Sequence, residues 1–448
     1  MGRPPLLPFP LCLSLLALSA CSVRYDYSDC ETAEDCLGAA ACSDGICQVD
    51  RVAGDVTADQ TWGAGQVHVL DGLVFVAPGV TLTVAAGARV LGQPGSALVV
   101  RPGGQLVAEG RADAPVVFTS AAPEGSRRPG DWGGVSLLGE APVNRPLRLE
   151  GLPEGTDAPF GGADPEGSCG RLTYVRVEFA GRVEARDDEL NGLTLAGCGA
   201  GTVVSHVQVH QALDDGLALF GGTVAVDHVL ITRPGDDGLD WDAGWQGEAQ
   251  FVAVQLDSRG DACVEGDSHP GDPDAAPRSA PALSNLTLVG SPSATTVGLA
   301  LRAGTAATLV NGVVVGTHGG AVDVVDGDGA VARQLADGTL SLHGFTVYDA
   351  GPTGFPDESA PEDDDDLGLD EARTFATGEW AVTLGEDPAL GQPFRLSAPG
   401  LRPAVTLPGE PPPAGAVFDA SARHRGAFEG QAGGGRDWTE GWTAFPAD

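Results

Sequence analysis

Lysine is missing from this 448-residue chain, in which every one of the 25 Lys+Arg positions is an arginine. Schiff-base and lysine-base chemistry are thereby excluded, because a guanidinium does not give up its proton in the way a buried ammonium does. Positive charge is scarce altogether: 62 Asp+Glu residues set the formal net charge at −37. Such a surface repels nucleic acid and suits divalent cations or neutral and cationic partners. Aromatic residues make up only 6% and methionine occurs once, so any core has to be built from Val, Leu and Ile. No long amphipathic helix, phosphate loop, zinc motif or Ser/His/Asp triad emerges.

Glycine is abundant, with 66 residues, and it recurs inside a phrase. An Asn or Asp, then Gly, then alternating apolar residues appears as Asn191-Gly192-Leu193-Thr194-Leu195, Asp215-Gly216-Leu217-Ala218-Leu219 and Asp237-Gly238-Leu239-Asp240-Trp241, with a looser copy at Asp261-Ala262-Cys263-Val264-Glu265. A second phrase keeps step with it at His206-Val207-Gln208-Val209, His228-Val229-Leu230-Ile231, Asn285-Leu286-Thr287-Leu288 and Asn311-Gly312-Val313-Val314. A period of about 22 residues is too short for propeller blades or helical pairs and fits one coil of a parallel β-solenoid. The chain is therefore expected to be all-β, one strand stack built coil upon coil, with coils from Gly65 to Ser120 and again from Leu172 to about Asp326. Long Gly/Pro-rich loops interrupt it at 123–170 and 266–281.

The N-terminus carries an apolar run from Leu6 to Leu18, too short to span a bilayer comfortably, which ends in Leu18-Ser19-Ala20-Cys21. Those four residues resemble the lipobox of bacterial lipoproteins, which implies lipidation of Cys21 and, with Ser22 after it, an outer-membrane anchor. Cys30, Cys36, Cys42 and Cys47 follow in a stretch too short and polar for a core. With no Cys-x-x-Cys and no nearby His they read as two disulfides rather than a zinc knuckle, the pairing left open. Cys169, Cys198 and Cys263 remain as an odd three, Cys263 at an apolar position.

The coil repeat resembles the right-handed single-stranded parallel β-helix of the pectate-lyase-like class. More narrowly, Gly130-Asp131-Trp132-Gly133-Gly134, Asp214-Asp215-Gly216 through Phe220-Gly221-Gly222, Asp236-Asp237, Pro277-Arg278-Ser279, Gly426-Ala427-Phe428 and Asp437-Trp438-Thr439 resemble a group of bacterial surface lipoproteins without an established activity. Relatives tend to carry a Glu where this chain has Ala218, which puts any site built on that carboxylate in doubt. The expected layout is a signal over 1–20, an anchor and Cys-rich module over 21–50, a β-helix over 51–355, an acidic loop over 356–376, and C-terminal coils with a cap over 377–448. Trp438 and Trp442 are expected to cover the last coil.

Equivalent positions on successive coils lie about 4.8 Å apart, so the repeat aligns carboxylates into a column. Asp187 and Asp188, Asp214 and Asp215, Asp236 and Asp237, then Asp261 are expected to be neighbours, with Asp240, Asp242, Glu265 and Asp267 close by. Stacked like charges protonate, find cations or splay into solvent. The metal-site reading is calcium on Asp188, Asp214, Asp215, Asp236, Asp237, Asp240 and Asp261. In the competing reading Arg233 and Arg259 neutralise the column, and in a third the Asp-Gly steps only make turns. Trp241, Trp245 and Arg259 are candidate ligand contacts. The expected function is surface binding or adhesion to a glycan or another surface protein, with a polysaccharide lyase or glycoside hydrolase as the alternative. A lyase would need Arg233, Arg259, Arg278 or Arg302 as its base, and a hydrolase would use an Asp pair around a water.

Overall fold

The computed structural model describes residues 29–448 apart from 37–39, 65, 187, 328 and 357–365. Cys21 and Asp187, and most of the acidic run at 362–366, lie outside the described residues. Among the described residues twenty-four strands join one sheet whose strands all run parallel, each pairing with its counterpart one coil later. The chain is a parallel β-helix. Each regular coil carries a short strand, as at Leu193–Ala196, and a long one, as at Val203–His210. The short strands stack in one register, Leu193 on Leu217 on Leu239 on Val264 on Leu299 on Val322. These six side chains point inward and are at most 2% exposed, so every coil adds apolar contact to a core built mainly from aliphatic side chains.

The second phrase of the repeat marks where the long strand bends. Tyr174, His206, His228, Phe251, Asn285, Asn311 and Gly344 all adopt left-handed backbone, with φ between 50° and 69°, and the register stacks them on successive coils. Asn and Gly tolerate that conformation best, which explains their place in the phrase. The aromatic members offset the strain by stacking: the His206 and His228 rings lie 4.3 Å apart and 11° from parallel.

In the first phrase glycine answers to crowding rather than to φ. A Cβ on Gly216 would sit 2.3 Å from Ile231 Cγ2 and 2.7 Å from the Gly238 carbonyl oxygen, both parts of the neighbouring coil wall. Gly216→Ala is expected to cost about 1–3 kcal/mol through overpacking, read from a denaturant midpoint that shifts while the m-value holds.

The end of the stack is closed by Phe345, Phe355 and Phe375, with Trp380 against the last of these. The coils run past 355, because Thr383–Leu384 adds to Thr346–Tyr348. The C-terminal segment then doubles back along one flank. Asn311 donates to the Glu410 carbonyl (2.8 Å), Asn285 to that of His424 (2.6 Å) and Gln208 to that of Ala444 (2.7 Å). Trp442 meets the edges of Tyr174 and His206, and Trp438 stacks on Phe428 at 5.1 Å. The two tryptophans thus brace the flank of the middle coils; the expectation that they cover the last coil is corrected, because the left-handed column offers the segment a continuous ledge of rings and amides.

The Cys-rich module is closed by Cys30–Cys42 and Cys36–Cys47 and packs on Val67, Val69, Leu91 and Ala121 of the first coils. A third disulfide, Cys169–Cys198, was not anticipated. Cys263 is free and buried. Of the acidic run, Asp366 is buried and caps a turn through Gly368 and Leu369. Among the described residues no helix is long and apolar enough to cross a membrane.

Candidate acidic site

The turn before each short strand carries the acids. The register sets Asn191, Asp215, Asp237 and Ala262 in one row and Leu190, Asp214, Asp236 and Asp261 in the next, since Gly192, Gly216 and Gly238 each donate to the carbonyl one coil on (2.8, 2.9 and 2.9 Å). The second acid of each pair also works structurally. Asp215 Oδ1 accepts the Asp237 amide (3.1 Å) and Asp237 Oδ1 accepts the Ala262 amide (2.7 Å). One carboxylate oxygen per residue is thus tied to the backbone, and its partner oxygen remains.

One oxygen from each of Asp214, Asp215 and Asp236 lies within 4.8 Å of the other two, and the same holds for Asp236, Asp237 and Asp261. Asp236 belongs to both groups. The Asn191 amide, turned so that its nitrogen faces the acids, donates to Asp214 Oδ2 (2.9 Å) and Asp215 Oδ2 (3.2 Å). Asp240 and Glu265 stand on the outward face of adjacent strands in register, where Ala218 precedes them.

Burial and mutual repulsion raise these acids. Burial, then Asp236 and Glu189, pushes Asp214 up to about 7. Burial and then Asp236 push Asp237 to about 8, and burial with Asp242 and Asp237 pushes Asp267 to about 7. Asp215 and Asp240 rise well above the carboxylate range, both chiefly by burial, Asp215 next by Asp240 and Asp240 next by Asp267. Exposed Asp236 rises by partial burial and by Asp261.

The arginines expected to neutralise the column turn elsewhere. Arg233 and Arg259 both pair with Asp257 (each 3.0 Å), and Arg302 pairs with Glu265 and Asp267. Among the described residues no ion pair reaches Asp214, Asp215, Asp236, Asp237 or Asp261. The loop at 139–162 supplies neighbours that sequence reasoning missed. Arg145 pairs with Asp242, and Glu150 is raised by burial and by Asp188. Nothing in that Gly/Pro-rich stretch signals such a role.

Two expectations need correction. Asp188 is not in the column: residues Arg182–Ala185 and Asp188–Leu190 form an inserted hairpin, and Asp188 Oδ1 instead accepts the Gly151 amide at 2.6 Å. Trp241 and Trp245 are fully buried, their ring nitrogens donating to Thr305 Oγ1 (2.9 Å) and the Val224 carbonyl (3.0 Å). Neither has a face to offer a sugar, because strand alternation points Trp241 into the core with Leu239.

Asp188→Asn is accordingly expected to leave cation affinity within about twofold, well under 1 kcal/mol, while limited proteolysis at 148–152 quickens. A large loss of affinity would return Asp188 to the site.

Residues 54–370, more than half of the chain, match the pectate-lyase-like β-helix domain. No curated protein matches the chain. A solved structure, the catalytic unit of a thermostable GH87 α-1,3-glucanase from Streptomyces thermodiastaticus strain HF3-3, aligns with 83% of this chain and 68% of its own at 12% identity. Its TM-score is 0.28, a likeness too slight to bear on function. From the repeat, the parallel register and the domain match together, the chain belongs to the pectate-lyase-like β-helix family.

Proposed function

We propose that this protein is an exported envelope lipoprotein, anchored through Cys21, whose β-helix binds calcium on the aspartate column and presents that face to a glycan or another surface protein. The observation that carries the reading is the two overlapping oxygen triads, Asp214/Asp215/Asp236 and Asp236/Asp237/Asp261, which no arginine partners among the described residues. All the donors are hard oxygens, the set calcium prefers over zinc or copper. Calcium bound there would supply the positive charge that lets these acids ionise together. The chain's own part is to hold the ligands: Asp237 Oδ1 and Asp215 Oδ1 are pinned by backbone amides, which fixes the remaining oxygens.

Binding is favoured over lyase chemistry because the base candidates are engaged. Arg233 and Arg259 share Asp257, Arg302 holds Glu265 and Asp267, and Arg278 holds Asp274. The cavity lined by Arg145, Glu150, Phe160, Phe220 and Asp242 is about 30 Å³, well below the roughly 300 Å³ at which ligand pockets begin. The alternative is a glycoside hydrolase, favoured by Asp237, an acid that keeps its proton up to about pH 8 as a general acid must.

Calorimetric titration with calcium tests the proposal. Saturable binding, lost in Asp215→Asn and Asp237→Asn, is expected; no heat above dilution would overturn it. Release of reducing ends from a polysaccharide panel, abolished in Asp237→Asn, would select the hydrolase instead.

A further inference from the structure

The arginines that leave the acid column gather elsewhere. A pocket of about 310 Å³ is lined by Arg127, Arg128, Gln211, Arg233, Arg259 and Asp448, with the 125–129 turn forming its rim. Its volume lies at the lower end of the range for small-ligand sites, roughly 300–1,000 Å³. In a chain of net charge −37, four guanidiniums converging on one hollow stand out. Among the described residues two side-chain carboxylates pair with them, Asp257 and Asp448, so guanidiniums outnumber the side-chain acids paired with them in the hollow.

The fold builds this concentration. Gln211 and Arg233 occupy the same left-handed corner on successive coils, with φ of 56° and 58°, and Asp257 holds the Arg233 and Arg259 guanidiniums side by side. Arg259 also donates to the Arg233 carbonyl at 2.8 Å. The positive field reaches the neighbouring His210: burial above all, with Arg233, Arg259 and Arg176 adding to it, holds that imidazole down at about 4 despite the Pro446 carbonyl.

The pocket already displays what it recognises. The Asp448 carboxylate takes a two-oxygen contact from Arg127, Nε to Oδ2 at 2.6 Å and Nη2 to Oδ1 at 3.1 Å, with the Gly125 amide on Oδ2 at 2.9 Å. Both partners are largely buried, at 8% side-chain exposure each. Arg127 is thereby satisfied, and it is the rest of the set that faces the open space. Arg128 is exposed and its guanidinium has no partner among the described residues. Arg233 uses only its Nε on Asp257, leaving its two terminal nitrogens, and forked donors of this kind match the two oxygens of a carboxylate.

We infer that this pocket is a binding site for a small ligand bearing a carboxylate, held by Arg128 and Arg233 beside Arg259, with the Asp448–Arg127 pair as its fixed wall. The site shares no lining residue with the oxygen triads of the acid column and needs no cation. A carboxylate on a sugar ring and one on an aliphatic acid present the same group to it, and the experiment separates these sources.

The test is titration of the whole protein, stripped of cations by chelator and then dialysed free of the chelator so that the aspartate column plays no part, with D-glucuronate, succinate and D-glucose, followed by calorimetry or ligand-observed NMR. Saturable binding of glucuronate or succinate, whichever source fits, with none for glucose, is the expected result. Arg128→Gln, which removes no internal contact, is expected to weaken it about tenfold, the worth of a charge-assisted contact. Asp448→Asn is expected to tighten it by removing a repelling charge from the wall. The inference is overturned if neither carboxylate saturates, if glucose binds equally well, or if Arg128→Gln and Arg128→Gln/Arg233→Gln, shown to melt as folded proteins, bind as the parent does.

Discussion

In chelator, the stability of this protein is expected to fall as the pH rises from about 5 to 8, and calcium is expected to restore it. The sign follows from the column. Asp214, Asp237 and Asp267 hold their protons in the folded state up to about 7, 8 and 7, against an ordinary value of 3.8 once the chain unfolds. Across that window the folded state binds more protons than the unfolded one. The stabilising contribution is therefore complete below 3.8 and is lost as the pH passes through the folded values. For a single buried group such as Asp237 the slope is at most about 1.4 kcal/mol per pH unit.

Acids whose values are lowered, such as Asp257, held down by Arg259 and Arg233 against the cost of burial, act below the ordinary range, whereas His206 and His210, held at about 4 chiefly by burial against an ordinary 6.5, oppose the fall below that ordinary value and leave it unopposed above. Calcium replaces the protons, so its melting shift is expected to be larger at pH 8 than at 5.5. Melting curves at fixed ionic strength, with and without calcium, check both statements. A melting temperature that climbs steadily between these pH values in chelator would mean that the acids ionise freely and that burial does not govern them.

Asn285→Ala carries the second large effect, a loss of about 3–5 kcal/mol. The Asn285 side chain is fully buried, donates to the carbonyls of His424 (2.6 Å) and Ala422 (3.3 Å), and accepts from Gln250 Nε2 (2.9 Å) and Ser284 Oγ (3.0 Å). Truncation leaves those groups without partners in a space water does not reach. Its backbone, at φ 61°, also strains alanine, so Asn285→Gly is expected to recover about 1–2 kcal/mol of the loss. Guanidinium unfolding gives the energies, and proteolysis within 405–430 reports whether the returning segment has come loose. A cost under about 1 kcal/mol with unchanged protection would show that this amide does not fasten the segment.

The coil repeat was legible because each coil must solve the same packing problem. Leu193, Leu217 and Leu239 recur where the core needs them, and Gly192, Gly216 and Gly238 recur where neighbouring coils leave no room for a Cβ. The acid rows could be read for the same reason, from Asp214 to Asp261. Asp188 could not, since an inserted hairpin shifts the count and spacing alone does not reveal which residues an insertion carries. Trp241 looked available because it stands among acids in sequence, yet alternation sends it inward while Asp240 and Asp242 stay out. The partnership of Arg145 with Asp242 and the Cys169–Cys198 bridge depend on long loops folding back. No periodic signal marks such contacts.

A stack of coils in which each touches only its neighbours has no reason to melt at once; its ends can fray while its middle persists. The segment that returns along the flank changes this. It is fastened at Asn311, Asn285, Gln208 and finally Arg127, residues contributed by coils far apart in the stack. Opening any one of those coils loosens a tether that the others share. The molecule gains long-range cooperativity from a strand-poor segment, and calcium bound at the middle coils would be felt as protection at both ends.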